Sequence, residues 1–355
     1  MSAPALRFKE FDGDWKSFSL LDLSSDKTLN NGVFNDQNKV GKGYKLINVL
    51  DMYIDRDIDE SRLSLLDLSK QEFERNKVKY GDIFFTRSSL VKEGIAYSNV
   101  YLGSSNDITY DGHLIKLSPN LEQINSIFLN YGLKTSKVRK QLIQGGKTAT
   151  MTTIGQKEIA STKIDVPFLQ EQTKIASFLS AIDEKISQLT QKHQLLSQYK
   201  QGMMQKLFSQ QIRFKADDGS EFEGWEETIF EKIGVFLKGK GISKADIVPD
   251  GKIPCIRYGE LYTYYGEVIS KIISSTNIEA KNLVLSKAND ILIPASGETQ
   301  IDIATASCVL QDNIALSGDL NIFRTKENGI FLSYLIRSKL KMQIAQLAQG
   351  NSVVH

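Results

Sequence analysis

The apolar positions are most regular in the middle of the chain, where they recur every seven residues between Pro167 and about Ser209. A companion apolar row is offset by three or four residues, and the polar residues His193 and Lys200 interrupt it. The two rows consist of Ile175, Ile182, Leu189, Leu196 and Met203, and of Leu179, Ile186 and Leu207. Such a heptad repeat predicts the seam of a coiled coil, on a helix of roughly 55–60 Å at about 1.5 Å per residue. The alternative is a long buried helix inside one large domain.

Before this helix the pattern is that of short strands. Short apolar runs separated by Gly, Asn and Asp predict strands at residues 44–49, 82–86, 94–97 and 112–117. Residues 124–143 then follow a helical period, and a polar loop begins at Gln144. We therefore predict a mixed α/β domain over residues 1–165.

The same pattern starts again after the helix. Residues 253–262, 289–296 and 328–334 match residues 44–53, 81–88 and 125–131 in the same order. This predicts an α+β protein in which two copies of one domain are joined by the helix. The predicted boundaries are 1–165 for the first copy, 166–212 for the coiled-coil spacer and 213–355 for the second copy. His355 corresponds to the region of the polar loop in the first copy, so we expect the second copy to be incomplete and a second helix to be absent.

Composition and charge narrow the class of protein. Hydrophobic residues make up 41% and charged residues 24% of the chain, as in ordinary globular proteins. The chain has no apolar signal-peptide core, no uncharged run long enough to span a bilayer, and only two cysteines, which together predict a cytoplasmic protein with no membrane contact. A net charge of +2 neither requires nor excludes a polyanionic partner.

No motif predicts catalysis. Gly145, Gly146, Lys147 and Thr148 look like part of a phosphate-binding loop, but that motif needs a glycine at position 141, which is Gln. The three histidines are far apart in sequence, so no metal site is expected. We therefore predict a non-catalytic protein with no cofactor of its own.

Several segments resemble the specificity (S) subunit of type I restriction-modification enzymes. Residues 166–172 followed by 175–183 are similar to the signature of the central conserved helical region of that family. Residues 81–87 and 222–225 are similar to parts of its target recognition domains. The chain departs from the family in having Pro167 alone in place of paired prolines, and in lacking the distal helical region that packs antiparallel on the central one.

The resemblance implies a division of labour between subunits. Each of two target recognition domains would read one part of a bipartite site in double-stranded DNA, and the helix would set the spacing between the parts. Methyltransferase (M) subunits would dock on the helical region and supply S-adenosylmethionine and the catalytic residues. Restriction (R) subunits would supply the ATPase and nuclease activities, with their ATP and Mg²⁺.

Loops that carry Arg, Lys, Asn, Gln, Ser and Tyr are the natural places for contacts to base edges and phosphates. The two copies differ most in such loops, as two readers of different half-sites would, although neutral drift would look the same. The candidate DNA-binding residues are Lys42, Tyr44, Asn48, Arg87, Ser88, Ser89, Lys92, Lys147 and Thr148 in the first copy, and Arg257, Tyr258, Ser296, Glu298, Gln300 and Asn351 in the second.

Without a distal helix, the apolar rows of the central helix need another partner. We predict that the two apolar rows pair with the helix of a second chain or with an M subunit. The residues of this pairing are Ile175, Leu179, Ile182, Ile186, Leu189, Leu196, Met203 and Leu207. His193 and Lys200 either fix the register of that pairing or mark a point where the seam opens to solvent. Two other functions stay open: a coiled-coil adaptor that binds only protein, and the recognition part of a fused methylase-nuclease.

Overall fold

The computed structural model describes residues 6–54 and 56–348. Their contacts divide the chain into two compact parts, which we call unit 1 (residues 1–190) and unit 2 (residues 191–355). The boundary falls inside one long helix, Leu169–Phe208, so each unit includes part of it. The prediction of an α+β fold with a long central helix is confirmed.

Unit 1 is a mixed domain of short strands and helices. Its strands are β1 (Lys16–Ser19), β2 (Ser24–Asn31), β3 (Val40–Ile47), β4 (Ser64–Leu66), β5 (Ile83–Thr86), β6 (Ser88–Ser89), β7 (Ser98–Val100), β8 (Ile108–Tyr110), β9 (Leu114–Pro119), β10 (Lys147–Thr148), β11 (Thr152–Thr153) and β12 (Lys163–Val166). Its helices are α1 (Leu20–Leu23), α2 (Lys70–Arg75), α3 (Ser126–Leu133), α4 (Ser136–Gly145), α5 (Gln156–Ala160) and the first part of α6 (Leu169–Phe208).

Two of the predicted elements of unit 1 differ from the structure. The predicted strand at 94–97 is wrong, because Ala96 has a positive φ of 50° and the chain turns there before β7 begins at Ser98. The predicted helix at 124–143 is divided into α3 and α4 at Thr135, which precedes α4 in an extended conformation.

Strand β5 lies at the centre of unit 1, between β9 and β7 in the sheet β2-β9-β5-β7. Because side chains alternate across a strand, Ile83 and Phe85 join the core that includes helices α3 and α4, whereas Phe84 joins a second core with Tyr110. Burial on both faces explains why β5 is a continuous apolar run rather than an alternating one.

Unit 2 begins with the second part of α6. Its strands are β13 (Gly234–Lys238), β14 (Ile253–Ile256), β15 (Val268–Ile269), β16 (Ser274–Thr276), β17 (Val284–Leu285), β18 (Ile291–Pro294), β19 (Ser307–Val309), β20 (Ala315–Leu316) and β21 (Leu320–Thr325). Its other helices are α7 (Phe230–Ile233), α8 (Glu260–Thr263), α9 (Gln300–Ile303), α10 (Gly329–Leu335) and α11 (Lys341–Gln346), and a π-helical turn, Ile336–Leu340, joins the last two.

The strand topology of unit 2 repeats that of unit 1. β18 lies between β21 and β19 as β5 lies between β9 and β7, and β14 runs parallel to β20 as β3 runs parallel to β8. At the same end of the central ladder, Thr86 pairs with Leu114 in unit 1 and Pro294 pairs with Leu320 in unit 2. This register makes positions 87 and 295 equivalent, and likewise positions 113 and 319.

The first turn of helix α6 is held by a buried carboxylate. Glu171 accepts two hydrogen bonds from the guanidinium of Arg7, at 2.7 and 2.6 Å, and a third from the indole N–H of Trp15 at 3.3 Å. Trp15 in turn packs on Phe128, with ring centroids 5.8 Å apart. A carboxylate near a helix N-terminus also interacts favourably with the helix dipole.

The last residue of helix α6 is held by aromatic rings. Phe208 is buried and lies 6.2 Å from Trp225 and 5.6 Å from Phe331, measured between ring centroids. Trp225 also packs on Phe331 at 5.5 Å. The same Trp–Phe contact thus occurs in both units, since Trp15 and Phe128 are the corresponding residues of unit 1.

The apolar rows of helix α6 are exposed in the middle and covered towards the ends. Ile175 packs against the core of unit 1, and Leu179, Met203 and Leu207 are half-buried. The exposed members are Ile182, Ile186, Leu189 and Leu196, with 41, 57, 55 and 57% of their surface accessible. Pairing with a partner helix stays a prediction, and the structure narrows it to this central stretch.

One polar interruption of the apolar rows has a partner inside its own unit. Lys200 donates to both carboxylate oxygens of Glu267, at 3.0 and 2.9 Å, and lies over the ring of Tyr334. Lys200 therefore contacts the folded part of unit 2, while His193 is exposed.

The half-buried guanidinium of Arg337 ties together three segments of unit 2. It donates to the carbonyl oxygens of Ala306 (2.6 Å), Leu261 (2.8 Å) and Tyr265 (3.1 Å). Burial lowers the pKa of Arg337, and these carbonyl contacts are what compensate for placing a cation there.

We expect Arg337→Met to lower the free energy of unfolding of unit 2 by roughly 3 kcal/mol, because it leaves these carbonyl groups without their donor. The measurement is urea denaturation followed by the fluorescence of Trp225, in a Trp15→Phe background that removes the other tryptophan. Lys339→Met, on the exposed side of the same turn, is the control and should leave the midpoint within error. Equal midpoints for the two variants would show that Arg337 has no such role.

Candidate nucleic-acid interface

Two of the predicted DNA-binding loops of unit 1 meet in one small sheet. β10 comes from the loop after α4 and pairs with β11, which pairs with β6, immediately after β5. This pairing places Arg87 and Lys147 on the wall of one open cavity of about 480 Å³. The cavity is lined by Arg87, Ser88, His113, Gly145, Lys147, Met151, Thr153, Ile154, Gly155 and Glu158.

The backbone of Arg87 is fixed on both sides, and its side chain is exposed. Its N–H donates to the carbonyl of His113 at 2.9 Å, and its carbonyl accepts from the N–H of Ile154 at 3.0 Å. Within residues 6–54 and 56–348, the guanidinium makes no hydrogen bond or ion pair that would compete with a ligand. Arg87 is therefore a cation with free donors, on a fixed backbone at the cavity wall.

A half-buried arginine supports the loop that follows β6. Arg139 of α4 donates to the carbonyl oxygens of Ala96 (2.7 Å), Glu93 (2.8 Å) and Ile95 (2.6 Å). Burial lowers the pKa of Arg139, as expected for a cation held by carbonyl groups rather than by an acid. The exposed Lys92 lies in the 3₁₀ turn Lys92–Gly94 of this supported loop.

The remaining candidates on the small sheet differ in the exposure of their side chains and in the partners that they already have. Lys147 is 85% exposed, and its ammonium group lies 3.8 Å from the carboxylate of Glu158. The hydroxyl of Thr148 shares a hydrogen bond of 2.9 Å with that of Thr152. Ser88 and Ser89 are half-buried in β6, and Ser89 accepts a bond from a backbone N–H of the same loop. The cationic groups of this surface are thus its most accessible ones.

His113 belongs to the same cavity and was missed by the sequence analysis. Its Nδ1 lies 2.7 Å from a carboxylate oxygen of Asp111, which is buried. The other oxygen of Asp111 accepts from Asn35 at 3.0 Å, and Asn35 also donates to Asn48 at 3.0 Å. No local sequence signal could have found it, because its place beside Arg87 follows from the pairing of β5 with β9.

The third predicted group of unit 1 is engaged in local contacts. Lys42 forms an ion pair of 3.0 Å with Asp67, and Tyr44 stacks on Phe73 with centroids 3.8 Å apart. The amide of Asn48 donates to Ser64 at 2.9 Å in addition to accepting from Asn35. These three residues lie on or just after β3, in a different sheet from β10-β11-β6. They do not lie on the cavity wall, and a contact with DNA stays a prediction for them.

In unit 2, Arg257 and Tyr258 follow β14 as Asn48 follows β3. The N–H of Tyr258 donates to Ser317, which follows the parallel strand β20, at 3.3 Å. Tyr258 and Tyr262 pack with centroids 6.4 Å apart. Burial raises the pKa of Tyr262, and nearby Tyr258, Asp302 and Glu298 add to the rise. The Tyr262 hydroxyl is therefore a neutral donor at this edge.

The second predicted loop of unit 2 follows β18. Ser296 is buried, while Glu298 and Gln300 are exposed at the start of α9. Thr299 and Asp302 close the first turn of that helix through reciprocal hydrogen bonds, which fixes the loop. Asn351 lies outside the described residues.

Within the part of the chain that the structure describes, the side chains form no candidate metal site. There, no group of three or more His, Cys, Asp or Glu residues could hold a metal ion. None of the helices in those same residues is both long and apolar enough to cross a bilayer. Cys255 and Cys308 are buried, and burial raises the pKa of each thiol to about 11, which disfavours the reactive thiolate.

The chain is similar in sequence to known restriction-modification proteins. The family described as "Type I restriction modification DNA specificity domain" matches residues 13–198. The type I restriction enzyme MjaX specificity subunit of Methanocaldococcus jannaschii is 26% identical over 350 residues, which cover 96% of this chain and 80% of that protein. The MjaVIII specificity subunit of the same organism is 24% identical over 183 residues, covering 49% of this chain and 42% of that protein.

The fold is also similar to a solved structure. The crystal structure of a type I restriction-modification S subunit from M. genitalium superposes with a TM-score of 0.56 at 15% identity, covering 96% of this chain and 81% of that chain. The family match spans more than half of the chain and includes β5, the cavity and most of helix α6. The chain therefore belongs to the type I restriction-modification DNA specificity family, and its function is recognition of a DNA sequence as a specificity subunit.

Proposed function

We propose that this chain is the non-catalytic reader of a bipartite DNA site, with unit 1 reading one half-site and unit 2 the other. The observation that carries this proposal is the cavity of unit 1. Two segments that are about sixty residues apart in sequence converge there and place Arg87 and Lys147 on one accessible surface. A free guanidinium on a fixed backbone is the group best suited to a guanine edge or a phosphate.

The surface combines two kinds of contact that DNA recognition requires. Arg87 can donate two parallel hydrogen bonds to guanine O6 and N7, which specifies a base. The exposed ammonium of Lys147 suits a phosphate, which positions the protein on the duplex without reading sequence. Lys92, on the neighbouring supported loop, adds a second cation for the backbone.

Other subunits supply the chemistry in this proposal. Methyltransferase subunits contribute S-adenosylmethionine and the catalytic residues, and restriction subunits contribute ATP- and Mg²⁺-dependent steps. The exposed stretch of helix α6 with Ile182, Ile186, Leu189 and Leu196 supports docking of a helical partner, either a methyltransferase subunit or a second copy of this chain. The predicted extents of 1–165, 166–212 and 213–355 are retained as the functional parts of the chain.

A selection from random duplex DNA tests the proposal. The purified chain, with methyltransferase subunits present, should enrich two short sequence blocks separated by an unread spacer of constant length. Retention should fall steeply with added salt, because phosphate contacts release counterions. A coiled-coil adaptor that binds only protein would enrich no sequence at any salt concentration, and that result would reject the proposed function.

A further inference from the structure

Positions 113 and 319 occupy the same place in the two units. Each residue immediately precedes the long strand that pairs with the central strand, β9 in unit 1 and β21 in unit 2. The carbonyl of His113 accepts from the N–H of Arg87 at 2.9 Å, and the carbonyl of Asp319 accepts from the N–H of Ala295 at 2.9 Å. The two backbones thus make the same contact, and only the side chains differ.

The side chains at these equivalent places have opposite hydrogen-bonding character. Unit 1 has Arg87, whose guanidinium only donates, together with His113, whose Nδ1 faces Asp111. Unit 2 has Ala295, which offers no polar group, together with Asp319, whose ionised carboxylate only accepts. Asp319 is exposed, and its carboxylate makes no hydrogen bond or ion pair with residues 6–54 or 56–348. The same backbone arrangement therefore presents the donors of Arg87 in unit 1 and the acceptor of Asp319 in unit 2.

The imidazole of His113 in unit 1 is held in place by Asp111. Asp111 is buried, lies against Nδ1 of His113 and also accepts from the backbone N–H of His113 at 2.7 Å. The imidazole is 69% exposed on the cavity wall beside Arg87, so Nε2 is left for a ligand. The charged groups around it are Asp111, Arg87, Lys147 and Glu158.

We propose that this pair of positions reads one base in each half-site, with complementary chemistry in the two units. In unit 1, Arg87 donates to a base edge rich in acceptors, as guanine is. In unit 2, Asp319 accepts a hydrogen bond from an exocyclic amino group, as cytosine or adenine offers. An exposed carboxylate on a DNA-facing surface would be repelled by phosphates, and a base amino group is the partner that offsets this cost. The inference rests on the proposed reading of a bipartite site.

The test is a selection from random duplex DNA with Asp319→Asn and Asp319→His, each with methyltransferase subunits present. The wild-type chain should select an amino-bearing base at one position of the second half-site. Asp319→Asn keeps one acceptor and adds a donor, so it should shift the preference towards adenine, whose N6 and N7 suit an amide, and Asp319→His should shift it towards guanine. The first half-site should be unchanged in both variants.

Asp250→Asn, at an exposed turn of the same unit, is the matched control and should select the wild-type sequence. If the wild-type chain selects two half-sites and both Asp319 variants select the same two, the inference is overturned while the proposed function stands. A change confined to the first half-site would also overturn it. If the wild-type chain selects no sequence, it is the proposed function that fails.

Discussion

Arg87→Ala is expected to lower the discrimination at one position of the first half-site by about tenfold or more, and to leave the second half-site as it was. One good bidentate contact between arginine and guanine discriminates against the wrong base by about 1–3 kcal/mol. The contact can be this strong because the Arg87 backbone is already fixed by His113 and Ile154, and because no acid of unit 1 occupies the guanidinium within the described residues. The loop backbone then needs no further ordering on binding, and ordering the exposed side chain costs about 0.5–1.5 kcal/mol.

The measurement is the methylation profile of cells that carry the complete system with this variant, together with selection in vitro. Arg75→Ala is the matched control, since Arg75 is an exposed arginine of α2 that does not line the cavity. It should show no change in sequence preference. An altered second half-site with an unaltered first one would contradict the assignment of unit 1 to the first half-site. A loss of affinity that is uniform across sequences would instead make Arg87 a phosphate contact.

Local patterns were sufficient to predict the long helix and the repeated frame. The heptad rows predicted a helix between Pro167 and about Ser209, and helix α6 runs from Leu169 to Phe208. The predicted match of Arg87 with Ala295 is reproduced by the strand register, since Thr86 and Pro294 end equivalent ladders. Both results depend on periodicity or on short alignments, which are properties of neighbouring residues.

Contacts between distant segments were not predictable in the same way. The loop after Gln144 was expected to be irregular, but Lys147 and Thr148 form a strand because β11 connects them to β6. His113 was missed because its place beside Arg87 follows from the pairing of β5 with β9. Lys200 was considered only as a polar interruption of the apolar row. Its partner Glu267 lies 67 residues further along the chain. In each case tertiary pairing decides the role of the residue.

Deleting residues 187–193 from helix α6 is expected to change the length of the unread spacer and to leave both half-sites unchanged. All seven residues are exposed. The contacts that hold the flanking parts of the helix lie outside the deletion: Tyr131 with Asp183, Arg56 with Glu184, and Lys200 with Glu267. Seven residues correspond to about 10 Å and nearly two full turns. The rotation of the two remaining parts of the helix about its axis therefore changes by only about 20°. At about 3.4 Å per base pair, the spacer should change by roughly one to three pairs.

A shorter deletion separates the effect of helix length from that of the rotation between the two parts of the helix. Removing residues 188–192 takes away the same exposed Leu189 but turns the two parts of the helix by about 140° relative to each other, because each residue contributes about 100°. We expect this variant to lose binding to the bipartite site, whereas the seven-residue deletion selects it with a new spacer. Both variants lack Leu189, but only the shorter deletion breaks the heptad register of the apolar rows, so the binding of methyltransferase subunits is measured alongside. Equal behaviour of the two variants, or the original spacer in the seven-residue deletion, would show that helix α6 does not set the spacing.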